Sequence, residues 1–255
     1  MTEHLFLTER LSVSFGGLSA LMDLDLQVRQ GEIIGLIGPN GAGKTTAFNA
    51  VTGIVRPSAG RVVFHGMDIT GWPAHKIART GIARTFQNIR LYTDLTLIEN
   101  VMVAGHSAIR YSFLEAIAGF GRFAVDEQNV REKAENLLEL MGLIDLAQEK
   151  AQSLPYGSQR KLEIARALAL NPMLLLLDEP VAGMNPIETI DFGELLGRLH
   201  KDLKLTVCLI DHDMRFVMDV CHRIKVIDHG VPIAWGSPAQ IQNDEKVIAA
   251  YLGAG

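Results

Sequence analysis

Cysteine is nearly absent from this 255-residue chain. Cys208 lies in an apolar run and Cys221 in a polar stretch, and two thiols so placed give neither a disulfide framework nor a zinc-ligand spacing, which suits a reducing cytosol. Positive charge is not in excess either. The 24 Lys and Arg against 29 Asp and Glu give a formal net charge of −5 and a pI near 5.9, which removes any global pull toward nucleic acid, so no nucleic-acid partner is expected. No run reaches the roughly 18 to 20 apolar residues needed to span a bilayer, and the chain does not open on a basic segment followed by an apolar stretch. Service to a membrane is therefore expected to be peripheral. The stretch that comes nearest, Tyr111 to Ala124, is short and interrupted by Glu115, Gly119, Gly121 and Arg122. It is expected to be a buried or partner-facing helix rather than a lipid anchor. Internal repeats and low-complexity segments are missing as well.

What is present is an ordinary globular composition, 48% hydrophobic and 21% charged, enough to bury a substantial core in one compact α/β domain with an insertion. Leu24, Leu26 and Val28 alternate with Asp25 and Gln27, the two-residue period of a sheet with one buried face, so a small antiparallel layer is expected near the start. Residues 32–37 form a short, nearly continuous apolar strand that runs directly into a glycine-rich loop and a helical stretch. Arg61 to Phe64 reads as another strand after the Pro57-Ser58-Ala59-Gly60 turn. From about Leu91 to Ser153 helical periodicity takes over, with Ala134, Leu137, Leu138 and Met141 on one face. Strand and helix then alternate again, at Met173 to Leu177, Ile190 to Leu199, Leu205 to Ile210 and Arg223 to Asp228, before a short hairpin and a small helix.

The run Gly38-Pro39-Asn40-Gly41-Ala42-Gly43-Lys44-Thr45 is a phosphate-binding loop set between a strand and a helix. Its glycines let the backbone curl so that successive N–H groups face phosphate oxygens, Lys44 adds a positive charge, and Thr45 offers a hydroxyl to Mg²⁺. Thr46 follows on the same helical start. The second element is an apolar strand, Met173 to Leu177, that ends in Asp178 and Glu179. Parallel strands deliver function at their carboxyl ends, so Asp178 is placed to hold Mg²⁺ and Glu179 to polarise an attacking water.

With these residues the chain resembles the ATP-binding cassette ATPases, from about residue 5 to residue 253. The motif that separates this family from other phosphate-loop proteins, usually Leu-Ser-Gly-Gly-Gln, falls at Leu154-Pro155-Tyr156-Gly157-Ser158-Gln159. A helix with Leu162, Ala165, Leu168 and Ala169 on one face follows it, so Gly157 and Ser158 can offer N–H groups and a helix dipole to an anion. The resemblance makes that anion the γ-phosphate of ATP held by a partner subunit. Pro155 replaces the signature serine and removes a hydroxyl and a backbone N–H, so this half-site is expected to rely on backbone groups.

The resemblance further implies that Gln87 links the core to the insertion and to membrane subunits, with a place near Mg²⁺ or water. It makes His212 the switch histidine that reaches the γ-phosphate and orients Glu179, and Phe15 the aromatic that stacks on adenine. Asn185 then lies in the loop that crosses to the partner's site, where aspartate is common. The implied fold is a phosphate-loop NTPase, RecA-like core with an N-terminal antiparallel β layer and an inserted helical subdomain. The core would occupy residues 1–88 and 160–230, the insertion 89–159, and the hairpin and helix 231–255.

Within the family, Tyr156-Gly157, Arg160 to Arg166, Ala182 to Pro186, Asp211 to Met214 and Ala250 to Gly253 are similar to importers of branched-chain amino acids. The length of the Gly105 to Val130 segment is similar to the longer of that group's two ATPase subunits. The resemblance then implies a dimer of two different ATPase chains, two membrane-spanning permease subunits and, indirectly, a solute-binding protein, at the cytoplasmic face of the inner membrane. Import of urea or other small amides, export of lipopolysaccharide, and a soluble role without a membrane partner are the competing readings.

Overall fold

The computed structural model describes residues 4–87, 89–108 and 120–252. Its contacts divide into two compact units, residues 1–87 with 173–255, and residues 88–172.

In the first unit the opening strands β1 (Phe6–Phe15) and β2 (Leu18–Val28) pair antiparallel, and β4 (Ala59–Phe64) and β5 (Met67–Asp68) extend them to a sheet ordered β2-β1-β4-β5. Leu24, Leu26 and Val28 are buried while Asp25 and Gln27 are exposed, as the alternation requires. The second sheet holds β3 (Ile33–Ile37), β6 (Ile82–Arg84), β7 (Leu174–Asp178), β8 (Thr206–Ile210), β9 (Arg223–Asp228) and β10 (Val231–Gly236), in the order β10-β9-β3-β8-β7-β6. Strands β9, β3, β8, β7 and β6 run parallel and β10 returns antiparallel at one edge. Every residue of β3, β7 and β8 is buried. Interior parallel strands covered on both faces have no solvent side to alternate toward, hence their continuous apolar runs.

Between the sheets lies α1 (Lys44–Val51), whose Ala47, Phe48, Ala50 and Val51 are buried in one cluster with Leu11, Val13, Leu24, Phe64, Ile34 and Leu176. Phe48 is 2% exposed, and burying such a ring contributes about 1.5–3 kcal/mol. Helix α1 therefore fixes the direction in which the glycine loop leaves β3. The β9–β10 hairpin turns at His229 and Gly230, both at positive φ (44° and 81°), the backbone that a two-residue turn matched to strand twist demands.

Residues 88–172 contain α3 (Leu97–Ala108), α4 (Phe120–Leu140) and α5 (Tyr156–Ala169), after the small α2 (Ala74–Ala78) of the first unit. Ala134, Leu137, Leu138 and Met141 are buried, as are Leu162, Ala165, Leu168 and Ala169. Helix α5 is continuous and packs against both α3 and α4. This moves the return to the first unit from the expected 160 to Met173, because a helix committed to those neighbours cannot be divided at its fifth residue. The tail also differs from a single small helix. It holds α8 (Pro238–Gln242), opened by a Ser237–Gln240 capping box with Pro at its first turn, and α9 (Glu245–Leu252). Before them come α6 (Pro186–Leu203) and α7 (Met214–Val220). The stretch Tyr111 to Ala124 lies outside the residues whose side chains are described. No helix among the described residues is long and apolar enough to cross a membrane.

Candidate functional site

Ligands of open parallel sheets bind beyond the carboxyl ends of the strands. Here the strand order β3-β8-β7-β6 sets the ends side by side, so the glycine loop after β3, Asp211-His212 after β8, Asp178-Glu179 at β7 and Thr85 to Gln87 after β6 lie along one edge.

The loop is shaped by close approach. Gly38 has φ 154°, and a Cβ there would come within 2.0 Å of the Ile227 carbonyl oxygen. Gly43, the residue before α1, has φ 100° and would meet the Ala20 carbonyl oxygen at 2.5 Å. Neither site admits a side chain without moving backbone. Gly38→Ala is accordingly expected to lower nucleotide affinity by about tenfold or more and to reduce Tm, because the mismatch falls on the main chain of β9. Fluorescence titration with a nucleotide analogue and a thermal melt read both effects.

Asn40 and Gly41 are exposed at the loop's crest, Ala42 is buried beneath it, and Thr45 and Thr46 open α1 with Thr45 exposed. Lys44 is 8% exposed, and its Nζ donates to the carbonyl oxygens of Gly38 (2.6 Å) and Pro39 (2.9 Å). Burial pushes its ammonium below the usual lysine range, and the nearby charges of Glu179 and Asp178 push back. The structure thus places the cation against its own loop and close to both carboxylates.

Two predicted residues converge on a third, Glu179. Gln87 Nε2 donates to Glu179 Oε2 at 2.9 Å, and His212 Nδ1 lies 3.9 Å from the same oxygen. The backbone of Glu179 is left-handed, φ 49°, a conformation that costs a non-glycine residue about 1–3 kcal/mol and persists only where the surroundings enforce it. What enforces it here includes its N–H, which donates to the Ile210 carbonyl of β8 at 2.8 Å. His212 is 62% exposed, able to reach outward from the edge.

Two residues escaped the sequence reading. Asp211 is fully buried, and its carboxylate accepts N–H bonds from His212, Asp213 and Val181. Burial raises its pKa, and these three donors and the adjacent His212 work the other way. It fixes the turn that presents His212. Arg84 ends β6, and its Nη2 donates to Asp178 Oδ2 at 2.7 Å, with the two side chains only 6% and 5% exposed. Its Nη1 reaches Asn49 Oδ1 (2.8 Å) on α1 and Oγ1 of Thr52 (3.2 Å), the residue that caps the end of α1. The available signal was a cation closing the short apolar run Ile82-Ala83, since a buried cation requires an anion.

The remaining predicted residues are placed on other elements. Phe15 is 52% exposed at the end of β1, beside the 70% exposed Leu18 across the hairpin. Gly157 and Ser158 are in the first turn of α5, in the unit 88–172, with Pro155 as the preceding cap residue. Arg160, fully buried, holds Glu163 at 2.7 Å and reaches the Tyr156 hydroxyl at 3.2 Å, which anchors that turn from behind. Asn185 caps α6 by accepting from the N–H groups of Ile187 and Glu188, and Glu188 accepts from the Asn185 N–H.

Residues 21–182 match the ABC transporter family, and residues 232–255 match the branched-chain amino acid ATP-binding cassette transporter family. The chain is 44% identical over 243 residues to the high-affinity branched-chain amino acid transport ATP-binding protein BraF of Pseudomonas aeruginosa, covering 95% of each chain. It is 42% identical over 253 residues to the corresponding protein LivG of Escherichia coli K12, covering 99% of each. The crystal structure of the ADP conformation of MJ1267, an ATP-binding cassette of an ABC transporter, superposes with a TM-score of 0.86 at 32% identity, over 99% of this chain and 100% of that one. The fold, the loop at the sheet edge and these matches agree: the chain belongs to the ABC transporter family, as its ATP-binding, ATP-hydrolysing cassette.

Proposed function

We propose that this chain hydrolyses Mg²⁺-bound ATP to power uptake of branched-chain amino acids across the cytoplasmic membrane. It works at the cytoplasmic face with a second, different ATPase chain and two membrane-spanning permease subunits, and indirectly with a solute-binding protein. The observation that carries the solute class is the match of the tail, residues 232–255, to the branched-chain transporter family.

The donor set fits Mg²⁺. The Asp178 carboxylate, of which Arg84 engages Oδ2, and the Thr45 hydroxyl are hard oxygen donors, and Gln87 adds an amide oxygen. Among the described residues no cluster of three or more His, Cys, Asp or Glu forms a closed cage. A small hard cation held by one carboxylate and completed by phosphates is the usual way Mg²⁺ sits in such sites. When bound, it draws negative charge off the phosphate oxygens.

The remaining roles belong to the chain's own groups. Loop N–H groups and Lys44 hold the phosphates, while Phe15 stacks on the adenine. Glu179, held by Gln87 and faced by His212, orients a water for in-line attack and accepts its proton, and His212 reaches toward the γ-phosphate. The N–H groups of Gly157 and Ser158 serve the nucleotide of the partner subunit, with the α5 dipole behind them. Catalysis of this kind is positioning and charge stabilisation.

The test is purification of the tagged chain from its native membrane, identification of the subunits that accompany it, and measurement of the solute their binding protein holds. Leucine, isoleucine or valine is the expected ligand. Urea, another small amide or a lipid in its place would overturn the assignment.

A further inference from the structure

We propose that Arg84 is a positioning residue for the metal-binding carboxylate, a clamp that fixes Asp178 relative to the helix carrying Thr45. The inference rests on the assignment of Asp178 and Thr45 to Mg²⁺ made above. These two residues come from different elements, the end of β7 and the start of α1. A shared cation needs them at a set separation, because Mg²⁺ tolerates little departure from octahedral geometry.

One guanidinium bridges the two elements. Arg84 Nη2 donates to Asp178 Oδ2, and Nη1 donates to Asn49 Oδ1 on α1 and to Oγ1 of its cap residue Thr52. The rigid planar fork of arginine holds both ends in fixed relation, which a lysine ammonium does not. The group also lies 5.5 Å from the Phe48 ring centre and 5.1 Å from that of Phe86, contacts that limit its freedom to swing away. Asp178 is held from its main chain as well, its N–H donating to Thr85 Oγ1 at 3.4 Å.

A role in stability alone accounts poorly for this arrangement. Removing two charges from water costs more than a buried pair commonly returns, and apolar residues of similar volume often serve stability as well or better. Among the described residues, Arg84 Nε is moreover buried with no hydrogen-bond partner, an uncompensated donor in the same group. What the pair does supply is a single orientation of the carboxylate, with Oδ2 committed to Arg84 and Oδ1 remaining as the second oxygen.

The experiment uses the full chain and a fluorescent ATP analogue, titrated once with Mg²⁺ and once with EDTA. Arg84→Met is expected to reduce the Mg²⁺-dependent gain in nucleotide affinity by about tenfold while leaving the affinity in EDTA unchanged. Asn49→Ala, which removes one of the two contacts at the far end of the clamp and keeps the ion pair, is expected to give a smaller loss of the same kind. Arg84→Lys, which keeps the charge and loses the fork, is expected to fall between wild type and Arg84→Met. If Arg84→Met does not fold, the Arg84→Lys and Asn49→Ala titrations decide in its place. A Mg²⁺-dependent gain equal to wild type in these variants overturns the proposal. So does an equal fall in both titrations, which marks a purely structural role. Asp178→Asn is measured alongside: a gain retained in that variant refutes the assignment of Asp178 itself, whereas a gain lost there and kept in the Arg84 variants refutes only the clamp.

Discussion

Lys44→Ala is expected to reduce steady-state ATP turnover by the assembled transporter about a thousandfold or more, and to abolish the rise in Tm that nucleotide confers. Removing a single neutral donor from a preorganised anion site costs about 10²–10³ in rate. Lys44 supplies a full charge from a position 8% exposed, where water screens little. The thermal shift follows from linkage, since a ligand stabilises a fold only to the extent that it binds the folded state. A malachite-green phosphate assay and a melt with and without ATP measure the two effects. Turnover within tenfold of wild type would remove Lys44 from the catalytic machinery.

Glu179→Gln separates binding from chemistry. The substitution preserves size, and a glutamine can keep a hydrogen bond to the Gln87 amide in place of the 2.9 Å contact. It removes the group that accepts the proton from water. General-base contributions are typically 10²–10⁴-fold, so kcat should fall by about that factor with ATP affinity changed by less than about threefold. The backbone at φ 49° is equally strained for both residues, so the folded state should be nearly as stable as wild type. Single-turnover hydrolysis and equilibrium nucleotide binding on the same preparation give the comparison. A variant that turns over at the normal rate would require a different base.

The parts of the site written in the sequence are those whose geometry is local. Gly38 to Thr45 is contiguous, and its spacing alone specifies a loop between strand and helix. Asp178 and Glu179 are legible because the apolar run Met173 to Leu177 has to be an interior strand, which puts its carboxyl end at the ligand edge. The antiparallel opening was visible for a similar reason, in the strict alternation of Leu24, Leu26 and Val28. What could not be read are the pairings across long separations. Arg84 and Asp178 are 94 positions apart, and nothing near either one announces the other. Asp211 sits in the run Asp211-His212-Asp213, where only burial distinguishes the carboxylate that caps the turn from the one that begins α7. The end of the helical insertion was misplaced because α5 has an apolar face that would suit either unit. Its packing on α3 and α4 decides the matter, and packing is not a property of the helix alone.

The order of strands in the parallel sheet has a consequence for how the protein comes into being. Strand β3, which delivers the loop, has Val207 beside Ile33 on one flank and Arg223 beside Ile34 on the other. Both neighbours are drawn from the last quarter of the chain, after the whole of residues 88–172 has been made. A growing polypeptide therefore carries the complete phosphate-binding motif long before it has the parallel sheet that flanks β3, since pairing across such separations must await the distant partner and its loop-closure entropy. The helices of residues 88–172 find their partners close by in sequence and can assemble while synthesis continues. The ability to hold ATP is in this sense the last property the chain acquires, and it arrives together with the strands that carry His212 and the turn at Gly230.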